Sequence, residues 1–242
     1  MLKLKNKQKM MGSKSWNLIA ATNPRSPVSE QYRTIRTNIQ FSMFDKELKT
    51  LACTSAIPRE GKSTTIANLA VTLAQQGQKV LLVDTDLRKP TIHQIMEVSN
   101  QYGFTGLITK KATKRMAILP IPTINNLYVL PSGPIPPNPS ELLGSKVMDQ
   151  LISELSEEYD IILFDTPPLL AVTDAQILGS RCDAVVLIVK NNRTEKKELV
   201  KAKELLDKTN VNLIGVIMNG ADRKNFSHDY YYYSDEENLL EV

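Results

Sequence analysis

Ala56-Ile-Pro-Arg-Glu-Gly-Lys-Ser63 decides the fold. It fits the phosphate-binding loop pattern, with Ala56 in place of the first glycine. A strand-like run, Thr50 to Ser55, precedes it; a helical pattern from Lys62 to Gln76, stopped by Gly77, follows it. Strand, loop and helix are the context the motif requires. Backbone N–H groups of such a loop point at an anion, and the helix dipole favours negative charge there. Pro58, Arg59, Glu60, Gly61, Lys62, Ser63 and Thr64 are therefore assigned to nucleotide phosphates. Gly61 lets the chain approach an anion closely. Lys62 places an ammonium at the β/γ oxygens, and the Ser63 hydroxyl suits Mg²⁺.

Outward from the loop, the chain alternates in the manner of an α/β protein. Lys79 to Asp84, Leu127 to Leu130, Asp160 to Asp165, Ala184 to Val189 and Val211 to Met218 read as strands, apolar on both parities where both faces are covered. Ser140 to Glu157 and Thr194 to Lys208 read as helices between them. An earlier helix, Ser29 to Phe41, has Ser29 as its expected N-cap. Pro131 to Pro139 is too rich in proline for either element and is expected as an extended loop. These patterns predict a P-loop NTPase fold: a mostly parallel sheet with helices on both faces. Ligands then bind at the carboxyl ends of the strands.

Three carboxylates close apolar strands near that edge. Asp84 and Asp86 follow Lys-Val-Leu-Leu-Val, and Asp165 follows Asp-Ile-Ile-Leu-Phe. A lone aspartate at a strand end is often a turn former. Three beside a triphosphate loop call for a hard cation with oxygen ligands. Asp165 is expected to hold a Mg²⁺ water, and Asp86 to serve the metal as well. Arg88 is left open between a phosphate and an acid.

The composition excludes several classes. The chain has 242 residues, 42% hydrophobic and 23% charged, which suits one large domain with appendages rather than a disordered or collagenous chain. No apolar run approaches the roughly 18 residues that would span a bilayer, and the start lacks a signal-peptide pattern, so a soluble intracellular protein is expected. Cys53 and Cys182 stand far apart without ligand spacing, which argues against zinc, and His93 and His228 are lone. The net charge of +4 is too modest to imply nucleic acid as a ligand. Its distribution is uneven. Residues 1–16 form a basic arm with Lys3, Lys5, Lys7, Lys9 and Lys14. It is either a solvated tail or a contact for an anionic leaflet. The core is expected over 17–223. Residues 224–242 form an acidic tail carrying Tyr230, Tyr231, Tyr232 and Tyr233.

Taken together, Ser55 to Thr64, Val80-Leu-Leu-Val-Asp-Thr-Asp-Leu-Arg88, Ile161-Ile-Leu-Phe-Asp-Thr-Pro-Pro168, Pro131 to Leu143 and the tyrosine cluster resemble the bacterial protein-tyrosine kinases of the CpsD/CapB type. The resemblance covers roughly residues 25 to 233. It implies ATP and Mg²⁺ as ligands, with Lys62, Asp84, Asp86 and Asp165 catalytic and Ser63, Asp86 and Asp165 at the metal. The implied reaction is autophosphorylation of Tyr230, Tyr231, Tyr232 and Tyr233 in trans. A tyrosine hydroxyl titrates near 10 and a free aspartate near 3.9, so Asp84 is expected to orient the hydroxyl and take its proton late.

Glu30, Arg33 and Arg36 lie at i, i+3 and i+6 of a helix expected over about 29–43. Spacing alone suits a solvated face. The resemblance implies a subunit contact in a ring-shaped, octamer-like homo-oligomer. It also implies a transmembrane adaptor of the polysaccharide co-polymerase class that recruits the kinase to the inner face of the membrane. A cognate tyrosine phosphatase, further protein substrates, and a role in capsular or exopolysaccharide export are implied with it. Asn219 matches the place where related folds contact adenine, though a turn asparagine fits its position too. The competing assignment is a partitioning-type ATPase that positions DNA or membrane components. That class has a lysine at the second loop position, where this chain has Ile57.

Overall fold

The structure, a computed structural model, describes residues 18–43 and 47–221. The basic arm and the four tyrosines lie outside the described residues. The described strands are β1 (Thr50–Ser55), β2 (Val80–Asp84), β3 (Leu119–Pro120), β4 (Leu127–Leu130), β5 (Ile161–Asp165), β6 (Ala184–Lys190) and β7 (Leu213–Asn219). They form one sheet in the order β3-β4-β2-β5-β1-β6-β7, parallel throughout except where β3 meets β4. The expected α/β architecture is present.

Every residue of β1, β2 and β5 is buried, because helices cover both sheet faces. On one face Leu51, Cys53, Leu82, Leu163 and Val186 pack in a cluster with the helix Lys62–Gln75 and Ile39 of the helix Pro27–Ser42. On the other, Ala52, Leu81, Val83, Ile162 and Phe164 pack with Phe104 and with Met148, Leu151 and Leu155 of the helix Lys146–Glu158. A smaller cluster joins Leu187 and Val189 to Ala202 and Leu206 of the helix Lys196–Asp207. Odd and even positions of one strand thus serve different cores, which explains the unbroken apolar runs. Each fully buried Leu or Phe side chain contributes about 1.5–3 kcal/mol.

Several element ends differ from expectation. The first long helix begins at Pro27, capped by Ser26, whose Oγ accepts from Ser29 N at 3.1 Å. Proline suits the first helical position because its missing N–H would have no partner there. Ser29 instead turns inward and donates to the Asn23 and Ile19 carbonyls. The expected helix Ser140 to Glu157 is broken into Pro139–Leu143 and Lys146–Glu158. Ser145 starts the second piece by accepting from Met148 N. Thr194 falls outside its helix, which starts at Lys196 behind a capping box of Glu195 and Glu198. The proline-rich loop runs extended only to Asn138; Pro139 already opens a helix.

This topology positions the site. β5 lies between β1, which feeds the phosphate loop, and β2. Asp84 and Asp165 are register partners on adjacent parallel strands, and Cys53 is the register partner of Asp165 on the other side.

Candidate active site

The loop is held in shape by contacts distant in sequence. Gly61 has φ of 90°, where a side chain is strained, and a Cβ there would lie 2.0 Å from Asn219 Nδ2. Asn219 Nδ2 donates to the Glu60 carbonyl at 2.9 Å, so the end of β7 presses on the loop. Glu60 is buried and its carboxylate accepts from Ile57 N at 2.8 Å and from the Thr194 hydroxyl. Sequence reasoning gave Glu60 to the phosphates and missed Thr194; nothing local marks a contact across 134 residues. Ile57, partly buried, packs against the cluster containing Ala56, Leu169 and Leu187.

Lys62 leads the helix that follows. Its Nζ lies 3.2 Å from Asp86 Oδ2 and 3.7 Å from Asp165 Oδ1, and it donates to Ser63 Oγ at 3.3 Å. Burial alone would lower its pKa, but Asp165 and Asp86 outweigh that and raise it. The ammonium is therefore secure at neutral pH.

Asp165 is fully buried, and neither of its oxygens receives a hydrogen bond. Burial raises its pKa, while Lys62 and the nearby Ser63 hydroxyl hold it back. With the Lys62 ammonium 3.7 Å away and the Ser63 hydroxyl close by, this buried carboxylate still has lone pairs to fill, and Asp165 and Ser63 would suit a hydrated Mg²⁺. Among the described residues no three His, Cys, Asp or Glu side chains converge into a metal cage. Mg²⁺ keeps waters and takes one or two carboxylates plus substrate phosphates, so it would not require such a cage.

Asp84 is also fully buried. Its Oδ2 accepts from Thr91 N and Ile92 N, each at 3.0 Å, and its Oδ1 from Asp86 N at 3.2 Å. It thus organises the turn that carries Asp86. Burial first, then the Asp165 charge, push its pKa up to about 8. Asp86 is oriented by Lys89 N, which donates to its Oδ1 at 3.0 Å. Arg88, left open by the sequence, pairs with an acid: its Nε and Nη2 reach Asp174 at 2.9 and 3.1 Å.

Lys62, Ser63, Asp84, Asp86, Asp165 and Asn219 are thus brought to one edge. Glu30, Arg33 and Arg36 are not; they lie on the flanking helix Pro27–Ser42. Arg33 bonds Glu30 and the Pro24 carbonyl. Arg36 Nη1 donates to the Thr72 carbonyl at 2.8 Å, tying that helix to Lys62–Gln75. Among the described residues no helix is long and apolar enough to cross a membrane.

Fold and site define a P-loop nucleotide-binding protein, and residues 59–214 match the AAA domain family. Tyrosine-protein kinase YwqD of Bacillus subtilis (strain 168) is 51% identical over 225 residues, covering 93% of this chain and 94% of that protein. Putative tyrosine-protein kinase CapB of Staphylococcus aureus is 42% identical over 213 residues, 88% of this chain and 93% of that protein. The solved kinase domain of Escherichia coli tyrosine kinase ETK is 34% identical, with a TM-score of 0.82 over 86% of this chain and 81% of that one. The chain belongs to the bacterial protein-tyrosine kinase family.

Proposed function

We propose that this protein transfers the γ-phosphoryl group of ATP to Tyr230, Tyr231, Tyr232 and Tyr233 of a neighbouring copy. One observation carries the reading: the Lys62 ammonium sits between Asp86 and Asp165 at the mouth of the phosphate loop. Pro58 to Thr64 would cradle the phosphates, and Asn219 would border the base. Ser63, Asp86 and Asp165 would hold Mg²⁺, which when bound neutralises charge on the phosphate oxygens. Lys62 stabilises the same charge as it develops, a preorganised electrostatic role.

Proton removal is the weaker demand. In a loose transfer the tyrosine hydroxyl needs little activation early. With its pKa pushed up to about 8 by burial and by Asp165, Asp84 holds a proton at neutral pH; the positive charge of a bound Mg²⁺ would favour the ionised form that could take the tyrosine proton late. Asp84 Oδ2 accepts from Thr91 N and Ile92 N and its Oδ1 only from Asp86 N, so Oδ1 keeps a lone pair for a proton. Asp86, 4% exposed and next to Lys62, is the acid closer to the mouth.

The test is direct. Purified protein incubated with Mg²⁺ and ATP should carry phosphate on Tyr230 to Tyr233 by mass spectrometry. ADP release from an unmodified chain, stimulated by DNA or lipid, would move the assignment to a partitioning-type ATPase. Full modification adds about −6 to −8 charges to an acidic tail, which favours separation of subunits until a phosphatase resets them.

The ring rests on Glu30, Arg33 and Arg36. Within one chain the partly exposed Glu30–Arg33 pair is worth only about 0.2–0.5 kcal/mol, so its value would lie between subunits. Arg33→Ala with Arg36→Ala should give a smaller species in light scattering and weak autophosphorylation. Arg36 also bonds Thr72, so Arg33→Ala alone, which keeps that bond, is the folding control. An unchanged assembly size in the double variant would count against the ring. Recruitment by a membrane adaptor and a role in polysaccharide export complete the reading, as the resemblance to the CpsD/CapB type implies.

A further inference from the structure

We propose that Asp174 is a positioning residue for phosphoryl transfer, acting on Asp86 through Arg88. Asp174 opens the helix Asp174–Gly179, beyond the loop that follows β5, and is fully buried. Its Oδ2 accepts from Arg88 Nε at 2.9 Å and its Oδ1 from Arg88 Nη2 at 3.1 Å, a two-point grip. Ser140 closes the cluster: its Oγ donates to Asp174 Oδ1 at 2.6 Å and accepts from Arg88 Nη2 at 3.1 Å. Three segments that leave the carboxyl edge are thereby tied together. These are the turn after β2, the helix Pro139–Leu143 that follows the proline-rich loop, and the helix Asp174–Gly179 that follows β5.

The path to the chemistry is short and every link is a hydrogen bond or the peptide chain itself. Asp174 fixes Arg88; Arg88 is bonded along the chain to Lys89; Lys89 N donates to Asp86 Oδ1 at 3.0 Å. Asp86 Oδ2 then faces Lys62 Nζ at 3.2 Å. Freeing Arg88 loosens the backbone at Lys89 and with it the only hydrogen bond described for Asp86 Oδ1. A buried acid is a poor device for stability alone, since apolar residues of similar volume often do as well. A two-point guanidinium grip adds geometric specificity instead. Its use here is to keep one oxygen of Asp86 turned to Lys62 and the metal position.

The inference rests on the proposed kinase reading, and the experiment separates the two. Asp174→Asn keeps the shape and removes the charge. It is measured for tyrosine phosphorylation, for binding of a fluorescent ATP analogue with EDTA, and for the Mg²⁺ midpoint of that binding. The expected result is a fall in phosphorylation rate and a rise in the Mg²⁺ midpoint of about 10–100-fold, as for residues that orient metal ligands. Binding in EDTA, carried by the phosphate loop, should stay within a factor of about two of the parent, a difference worth less than half a kcal/mol.

Arg88→Met with Asp174→Leu is the second variant. It replaces the pair with apolar groups, so it should recover thermal stability while still showing the raised Mg²⁺ midpoint. An unchanged midpoint in Asp174→Asn, or a normal midpoint in the apolar pair, would overturn the proposal. If the parent protein placed no phosphate on its tyrosines, the kinase reading would fail, while the Mg²⁺ midpoint would still decide the role of Asp174.

Discussion

Lys62→Met should abolish tyrosine phosphorylation while leaving the fold intact. The side chain is the cation between Asp86 at 3.2 Å and Asp165 at 3.7 Å, and methionine is a similarly unbranched side chain, one atom shorter, without the charge. Removing one preorganised donor at a site of developing charge typically costs about 10²–10³ in rate. Here the loss should be at least that, because under the proposed mechanism the ammonium would serve both the phosphate and the acids assigned to the metal. The fold should survive because protons can replace the lost ammonium. Lys62 holds down the pKa of both Asp84 and Asp165, so in its absence each carboxyl stays protonated to higher pH. The variant should therefore keep its circular dichroism spectrum near pH 6 and weaken more steeply than the parent as pH rises. Undiminished phosphotyrosine would rule the assignment out.

The parts of this site that the sequence displayed are those whose chemistry is local. A phosphate loop has to be contiguous, since successive amides must converge on one anion. Lys62, Ser63 and the aspartates at the ends of β2 and β5 were readable for that reason, and parallel strands then bring Asp84 and Asp165 into register. The strand cores were readable because burial on both faces forces apolar residues at every position. The supports were not readable. Glu60 meets Thr194 across 134 residues and Arg88 meets Asp174 across 86, and neither partner carries a local signature. Helix starts failed where two signals competed: Ser29 resembles a cap, but Ser26 followed by Pro27 takes that role. β3 spans only Leu119–Pro120, too short for any alternation to show.

The same geometry makes the proposed metal position a source of instability in the absence of nucleotide, and Asp165→Asn should reveal it. In this structure Asp165 is buried with no hydrogen bond to either oxygen. Its pKa and that of Asp84 are raised above the ordinary value of 3.8, that of Asp84 to about 8. The folded chain therefore keeps protons that the unfolded chain has already released, so stability falls as pH rises from about 4 to about 8. Asparagine cannot ionise, so it removes the Asp165 contribution to that slope. It also removes the charge that, after burial, does most to raise the pKa of Asp84. Lys62 keeps Asp86 as its partner. Each unit by which a carboxyl pKa is raised corresponds to about 1.4 kcal/mol lost on ionisation, so the gain is on the order of 1 kcal/mol. For a chain of this size that corresponds to a gain of roughly 2–4 °C in Tm for each kcal/mol, measured at pH 8 without nucleotide. The variant should also show a flatter dependence of Tm on pH, losing most of its advantage near pH 5. With Mg²⁺ and a non-hydrolysable ATP analogue the order should reverse. The parent gains stability by binding, whereas the variant, lacking the carboxylate for the metal water, gains little and phosphorylates at least about a hundredfold more slowly. A variant less stable than the parent at pH 8 without nucleotide would show that Asp165 is already compensated, and the strained site inferred from its two unbonded oxygens would be wrong.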